Sequence, residues 1–515
     1  MYLIIGASSF IGRHLYKYCT DQGINAVGTY LNHPYHEGWV KFDLCSGDLK
    51  EICRECFQDK YPDAVIICGA DTSIDHCKNN EMASNQVNVE GTKRILDQAE
   101  ELGLKCVFLS SEAVFDGRKG MYTERDLPNP VTLYGRQKLQ IEQYIIKNMK
   151  DYLIFRISRA VGSSYEEPDI FQEFYHKIRN CEEIECLKDQ SFCVTEVGDI
   201  AEMIVKSIEK NINGLYHLSS SNYISRYELA VRYAEQVFGK YGKISEKEYQ
   251  ELPFSDYRHI RAGLCGEQLA GLLNFKYKSM EDIWKAYIDS LPKTQYLILG
   301  ANGYIGSYLF SRLEQDGVNV LGTARDTGRN SKMASFDILK DSIEDMLQKI
   351  DQEEKIAIVC IGQTNIGQCL KEYEQSYRIN VTETKRLIRS LCQAGFHVIY
   401  FSTDNVFDGS EGDYTENSKI HGINQYGRMK EEMEQHLLEH EPKVCIFRLS
   451  KVVDGKPAKQ NILSEWESQA KEGEIRCIRG NRLSFTAMED IYQACLLAGR
   501  MKLHGLYHIY EKPKI

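Results

Sequence analysis

The chain has 515 residues, 43% of them apolar and 27% charged, with a formal net charge of −11. Such a length holds about two to four domains, and such a mixture fills cores rather than leaving a disordered chain. The acidic balance repels phosphate backbones, which excludes nucleic acid as an expected partner but not a nucleotide held in a local pocket.

The first apolar run, in "MYLIIGASSFIG", turns at once into a glycine motif. It has no basic flank and no small-residue cleavage site, and no stretch is long and apolar enough to span a bilayer. A soluble cytoplasmic protein is expected, with no membrane partner. The 17 Cys are scattered through apolar runs such as "AVIICGA", as buried thiols are in a reducing compartment. Cys53 and Cys56 form a C-x-x-C without a second pair or His cluster at zinc spacing, so no metal site is expected.

Gly6, Ser9 and Gly12, with Phe10 and Ile11 between them, follow the first run and open a helical pattern. Glycine in such a turn lets a pyrophosphate approach the backbone, and the helix N-terminus supplies N–H groups and positive dipole. Ser9 departs from the pattern and adds a small side chain beside the phosphates. The next run, "NAVGT", ends at Thr29 with no acid to bind a ribose 2′-hydroxyl. "DAVIIC" leads to Gly69 and Ala70, which join the candidate cofactor contacts. "KCVFLS" leads to Ser111, and 23 residues later Tyr134 begins "YGRQK". Tyr134 and Lys138 share one helix face. An ammonium near the phenol favours phenolate and lowers its pKa, and a strand-end hydroxyl such as Ser111 can bond a substrate carbonyl. "SRYELAVRYAEQVFG" (225–239) reads as an amphipathic helix along Leu229, Ala230, Tyr233 and Val237.

After "DSLPKT" (289–294) the pattern begins again. "YLILGANGYIG" repeats "YLIIGASSFIG", "RINVTETKRLI" repeats "QVNVEGTKRIL", "YFSTDNVFDG" repeats "FLSSEAVFDG", and "HGLYHI" repeats "NGLYHL", at a nearly constant offset. This is a tandem duplication. The second copy supplies Gly300, Gly303, Tyr304, Ile305 and Gly306 at the turn, Gly362 after "IAIVC", and the set Thr403, Tyr426 and Lys430. Arg325 follows its second run and suits a 2′-phosphate by charge and fork geometry, so NADP is preferred over NAD as cofactor. Short buried strands alternating with helices predict an α/β fold: two tandem Rossmann-type doubly wound parallel-sheet domains, 1–291 and 292–515. The first copy continues for 74 residues from His217 to Leu291, enough for a small C-terminal substrate lobe. The second stops shortly after His508 and is expected to be truncated, lacking that lobe.

The glycine turns, "SSEAVFDG" and "STDNVFDG", and "YTERDLPNPVTLYGRQK" with its looser copy together resemble an extended short-chain dehydrogenase/reductase of the dTDP-4-dehydrorhamnose reductase-like, sugar nucleotide-binding family. "LKDQSFCVTEVGDIA" (187–201) resembles that family's substrate-cleft stretch. The resemblance implies catalytic sets Ser111–Tyr134–Lys138 and Thr403–Tyr426–Lys430, and it places Asp43 and Asp337 near the adenine. It places Asn88 and Asn380 beside the site, where capping or turn duty is an equal reading. It implies an NAD(P)H-dependent oxidoreductase acting on a nucleotide-linked 4-keto sugar, with assembly into a homo-oligomer left open. A nucleotide-sugar epimerase would use the same Tyr and Lys. A non-catalytic dinucleotide-binding regulatory subunit would keep the same turns. Dehydratases of this fold carry an Asp-Glu pair after the strand-end hydroxyl; Glu112-Ala113 and Asp404-Asn405 lack it. The first copy is expected to carry turnover. A rival arrangement completes the second site with a lobe from the first half or from another chain.

Overall fold

The computed structural model describes residues 1–57, 60–239, 243–328, 330–348, 350, 352–454, 462–475 and 483–510. The chain forms two compact units, Met1–Leu291 and Pro292–Ile515.

The first unit is built on seven parallel strands: β1 (Tyr2–Ile5), β2 (Ala26–Tyr30), β3 (Val40–Lys41), β4 (Ala64–Ile67), β5 (Lys105–Ser111), β6 (Tyr152–Ile157) and β7 (Gly214–Leu218). Their order is β7-β6-β5-β4-β1-β2-β3. The chain winds outward in both directions from β1 and β4, so the loops after these two strands diverge and leave a crevice at their carboxyl ends. The central strands β1, β4, β5 and β6 are buried on both faces, and two apolar clusters cover the sheet: one around Ile4, Leu15 and Ile204, the other around Leu3, Ile95 and Ile141. That is why the strand sequences read as continuous apolar runs rather than alternating ones.

Two helices matter for the site: α1 (Phe10–Asp21) after β1, and α2 (Leu133–Asn148) between β5 and β6. Beyond the sheet lies a small lobe. Strands 159–161, 191–196 and 223–225 form one three-stranded sheet, and 184–187 pairs with 244–247. The helix Arg226–Phe238 buries Leu229, Ala230, Tyr233 and Val237, the side the sequence pattern marks out. Tyr233 packs among Phe171, Phe174, Trp284 and Tyr287, and its hydroxyl meets that of Tyr287 at 2.9 Å. A buried hydroxyl pair of this kind satisfies both groups without water.

The second unit repeats the sheet with β8 (Thr294–Leu299), β9 (Asn319–Ala324), β10 (Met333–Ser335), β11 (Glu354–Val359), β12 (His397–Thr403), β13 (Cys445–Leu449) and β14 (Gly505–Ile509), in the order β10-β9-β8-β11-β12-β13-β14. Its counterparts of the two site helices are α3 (Tyr304–Gln315) and α4 (Gln425–His440). Among the described residues no helix is long and apolar enough to cross a membrane.

Candidate functional site

At the crevice of the first unit the loops after β1 and β4 touch. Gly6 has φ +79°, and a Cβ there would lie 2.5 Å from the Gly69 backbone. A Cβ on Gly12 would lie 2.4 Å from the Gly6 carbonyl oxygen, so only glycine lets α1 start this close to the strand. The Gly6 N–H donates to the Thr29 hydroxyl at 3.0 Å, which ties the turn to β2. Gly300 and Thr323 repeat that bond at 3.2 Å. Thr323 carried no signal in the sequence except its alignment with Thr29.

Ser9 caps α1: its hydroxyl accepts from the Gly12 N–H at 3.2 Å. Its φ of −71° and the −73° of Gly303 are nearly the same, so the backbone does not require glycine there and the serine is accommodated. Phe10, Ile11, Tyr304 and Ile305 begin the two helices half-buried, and Ala70 lies half-buried after β4. Arg325 is exposed after β9.

Asn88 and Asn380 are engaged in hydrogen bonds with the neighbouring loops. Each lies buried in a π-helical turn and clamps the loop after the fourth strand. Asn88 accepts from the Asp71 N–H at 2.8 Å, donates to the Asp71 carbonyl at 2.9 Å and donates to Gln137 at 2.9 Å. Asn380 does the same with Gln363, at 2.7 and 2.9 Å, beside Gly362. Asp43 and Asp337 hold their own turns by accepting from the N–H groups of Cys45 and Leu339. These four residues shape the loops that line the crevice.

Ser111, Tyr134 and Lys138 come together where β5 ends. The one-turn helix Glu112–Val114 follows Ser111, whose hydroxyl accepts from the Ala113 N–H at 3.2 Å. Thr132 caps α2 by accepting from Gly135, and Tyr134 stands in the first turn. Gly135 makes this approach possible, because a Cβ there would lie 2.1 Å from the Ala113 carbonyl oxygen. Gly427 stands at the same 2.1 Å from the Asn405 oxygen. So the glycine in each "YGR" brings the tyrosine helix down onto the strand end.

Lys138 is buried under the tyrosine. Its ammonium donates to the Leu109 carbonyl at 2.8 Å and sits 5.7 Å from the Tyr134 ring centroid. Burial pushes its pKa down to about 8. Burial also pushes the Tyr134 phenol up, which its interaction with Ser111 offsets only in part. The net direction is opposite to the expected lowering, because desolvation of the phenolate dominates. The phenol therefore keeps its proton at neutral pH, as a general acid must.

The second unit places Thr403, Tyr426 and Lys430 in the same arrangement, with Lys430 also at about 8. Two differences separate it from the first. Thr403 donates to the Asp404 carboxylate at 3.1 Å while accepting from Asn405. Its hydroxyl thus donates to a carboxylate within the turn, whereas among the described residues Ser111 has no carboxylate partner and bears on the Tyr134 phenol. Lys430 donates to the Phe401 carbonyl at 2.7 Å and also meets the Tyr400 hydroxyl at 2.9 Å, where the first unit has Phe108.

A family model described as RmlD substrate binding domain matches residues 1–292 and again 294–514. The chain belongs to this family, in two copies. Among curated relatives of this RmlD-type chain, methionine adenosyltransferase 2 subunit beta from Bos taurus is 28% identical over 45% of the chain and 71% of the relative. A probable low-salt glycan biosynthesis reductase from Haloferax volcanii is 24% identical over 54% and 94%. A solved dTDP-4-dehydrorhamnose reductase from Bacillus anthracis, in complex with NADP, is 21% identical with a TM-score of 0.49, covering 56% of the chain and 99% of that structure.

Two residues of the first RmlD-type copy have partners that a sequence reading does not show. Arg13 follows the third motif position, and its guanidinium lies 4.7 Å from the Tyr35 ring centroid, in the loop after β2. Its Nε is buried without a partner, and its nearest carboxylate is Glu167 at 3.4 Å. Glu112 follows Ser111, and burial raises its pKa against hydrogen bonds from Ser158 and Gly263 and the charge of Arg159. The local sequence does not reveal these contacts, because the partners lie more than 20 positions away.

Proposed function

We propose that the chain is an NAD(P)H-dependent reductase of a nucleotide-linked 4-keto sugar, with turnover in the first unit. The observation that carries this reading is the convergence at the end of β5 of a serine hydroxyl beside the phenol, a protonated buried tyrosine and a buried lysine. The glycine cradle of β1 and α1 fits a dinucleotide pyrophosphate: added Cβ atoms would fill it, and the helix N-terminus faces it. Gly6, Ser9, Gly12 and the Gly69–Ala70 loop would hold the cofactor, which supplies a hydride when bound. Ser111 donates to the substrate carbonyl oxygen and Tyr134 delivers the proton to it. Lys138 keeps positive charge beneath the phenol, and its remaining N–H groups fix a ribose. The Arg13 guanidinium, held over Tyr35 in the loop after β2, would receive a 2′-phosphate, which favours NADP over NAD.

The decisive experiment incubates the purified chain with NADPH or NADH and a set of nucleotide-linked 4-keto sugars. Dinucleotide oxidation dependent on one of them is expected. An epimerase would convert sugar without net oxidation. A second reading, favoured by the relatives named as a subunit, is a dinucleotide-binding subunit without turnover. It predicts dinucleotide binding and no conversion of any sugar. Titration with NADPH is expected to show up to two sites per chain, one per glycine turn, and Arg13→Ala should weaken NADPH binding more than NADH binding. The absence of binding at millimolar dinucleotide would remove both readings.

Raising the pH through about 8 should lower turnover, since Lys138 loses its ammonium there. A pH–rate profile that stays flat to pH 10 would place the lysine's charge outside the reaction.

A further inference from the structure

We infer that Glu112 is a positioning residue: it fastens the lobe segment 261–266 to the strand end that carries Ser111, and so seats the lobe over the candidate site. The kinetic arm of this inference rests on the reductase reading; the structural arm does not.

One oxygen of Glu112 gathers two donors from different parts of the fold. The Ser158 hydroxyl reaches it at 2.7 Å from the end of β6, and the Gly263 N–H reaches it at 3.0 Å from the lobe. Ser158 also meets the Cys193 carbonyl at 2.9 Å, which brings the lobe strand 191–196 into the same network. Among the described residues no cation lies within ion-pair distance of Glu112. Its carboxyl is thus held in place by these hydrogen bonds, with the Arg159 charge acting on it from beyond ion-pair distance.

The segment it holds is seated tightly. Gly263 has φ +99°, and a Cβ there would lie 2.9 Å from the Tyr223 ring and 3.1 Å from Cys193 Sγ. Backbone bonds join the same segment to the loop after Phe115: Arg261 N to Gly117 O at 2.7 Å, Tyr122 N to Gly263 O at 3.0 Å, and Cys265 N to Tyr122 O at 2.8 Å. Ala262 N donates to Ser191 O at 2.9 Å. These contacts align the segment with the lobe and with the loop, and Glu112 is the side chain that ties it to the strand end itself.

The duplication provides a contrast within one molecule. Asp404 occupies the matching position, one methylene shorter, and turns back to Thr403 and Asn405 at 3.1 Å each. A carboxylate of that reach satisfies its own turn and takes the proton of the strand-end hydroxyl. The longer Glu112 reaches outward to Ser158 and Gly263 and leaves Ser111 to the Tyr134 phenol. The choice of Glu over Asp therefore has two effects: it fixes the lobe, and it frees the hydroxyl beside it.

The test uses the full chain with Glu112→Gln, Glu112→Asp and Glu112→Ala. Hydrogen exchange at 261–266 should rise roughly tenfold or more in the Ala and Asp variants, the effect of losing one bond to a charged group. Exchange in α2 should stay unchanged. Glu112→Gln should restore protection, since its carboxamide oxygen accepts from Gly263. In parallel, KM for the keto sugar nucleotide should rise about tenfold in the Ala and Asp variants, with dinucleotide affinity unchanged. Unchanged exchange at 261–266, or an increase spread evenly through the first unit, would overturn the inference. So would a Gln variant as exposed as the Ala variant. Expected exchange behaviour in a chain that reduces no keto sugar would leave the fastening in place and remove the reductase reading instead.

Discussion

Tyr134→Phe is expected to lower turnover of the keto sugar nucleotide by about 10²–10⁴-fold, the usual worth of a general acid. Tyr426→Phe is expected to leave turnover largely intact. Both tyrosines are buried to 8% exposure in the first turn of matching helices, so residue type does not separate them. The difference lies in what surrounds them. Ser111 bears on the Tyr134 phenol, whereas Thr403 donates to the Asp404 carboxylate. Lys138 has one carbonyl partner, whereas Lys430 also meets the Tyr400 hydroxyl. A preorganised donor stabilises charge developing on the substrate oxygen only if it need not first break a bond of its own. Removing the phenol oxygen leaves the glycine cradle untouched, so dinucleotide affinity of the Tyr134→Phe chain should match the parent. Isothermal titration with NADPH and steady-state rates for both variants check this. The reverse pattern, with Tyr426→Phe inactive, would make the second unit the working one. Equal losses in the two variants would mean that both sites turn over.

Much of this arrangement could be read from the chain because it is local. Strand, glycine turn and helix follow one another within a dozen residues, and the duplication shows each motif twice. The 23-residue spacing from Ser111 to Tyr134 brought strand end and helix together on paper, as the fold does in space. Other features depend on contacts across long stretches of sequence. Asn88 braces Asp71 from 17 positions away and Gln137 from 49, so its pattern looked equally like a cap or a ligand. Glu112 meets Gly263 across 151 positions. Gly135 carries no mark of its own inside the Tyr-Lys motif, yet its missing Cβ sets the distance between helix and strand end. The direction of the Tyr134 pKa shift was misjudged for a related reason: spacing reveals a charged neighbour, but not how much water the fold removes.

Beneath the site, Arg156→Met is expected to destabilise the first unit by about 3–5 kcal/mol, because it strands a buried carboxylate. Glu142, one turn beyond Lys138 on α2, is 0% exposed. It receives Arg156 from β6 at 2.6 and 2.9 Å and Ser110 from β5 at 2.5 Å. The second unit repeats this set with Glu434, Arg448 and Ser402. The network joins the helix bearing Tyr134 and Lys138 to the strand bearing Ser111, so its loss should loosen the site as well as the fold. Replacing both partners, Glu142→Leu with Arg156→Met, should recover most of the stability, since an apolar pair strands no charge. Hydrogen exchange in α2 measures both variants; a single variant as stable as the parent would sink the argument. His217 adds a pH dependence to the same network. It is 0% exposed and 3.5 Å from Arg156, and burial and then that charge lower its pKa from 6.5 to about 4. Above pH 6.5 the ring is neutral whether the chain is folded or not. Below it the unfolded chain takes up a proton that the folded one refuses until about pH 4. Stability of the first unit should therefore fall between pH 6.5 and 4, at up to roughly 1.4 kcal/mol per pH unit. His217→Gln should flatten that slope, and an unaltered slope in the variant would assign the acid sensitivity to another group.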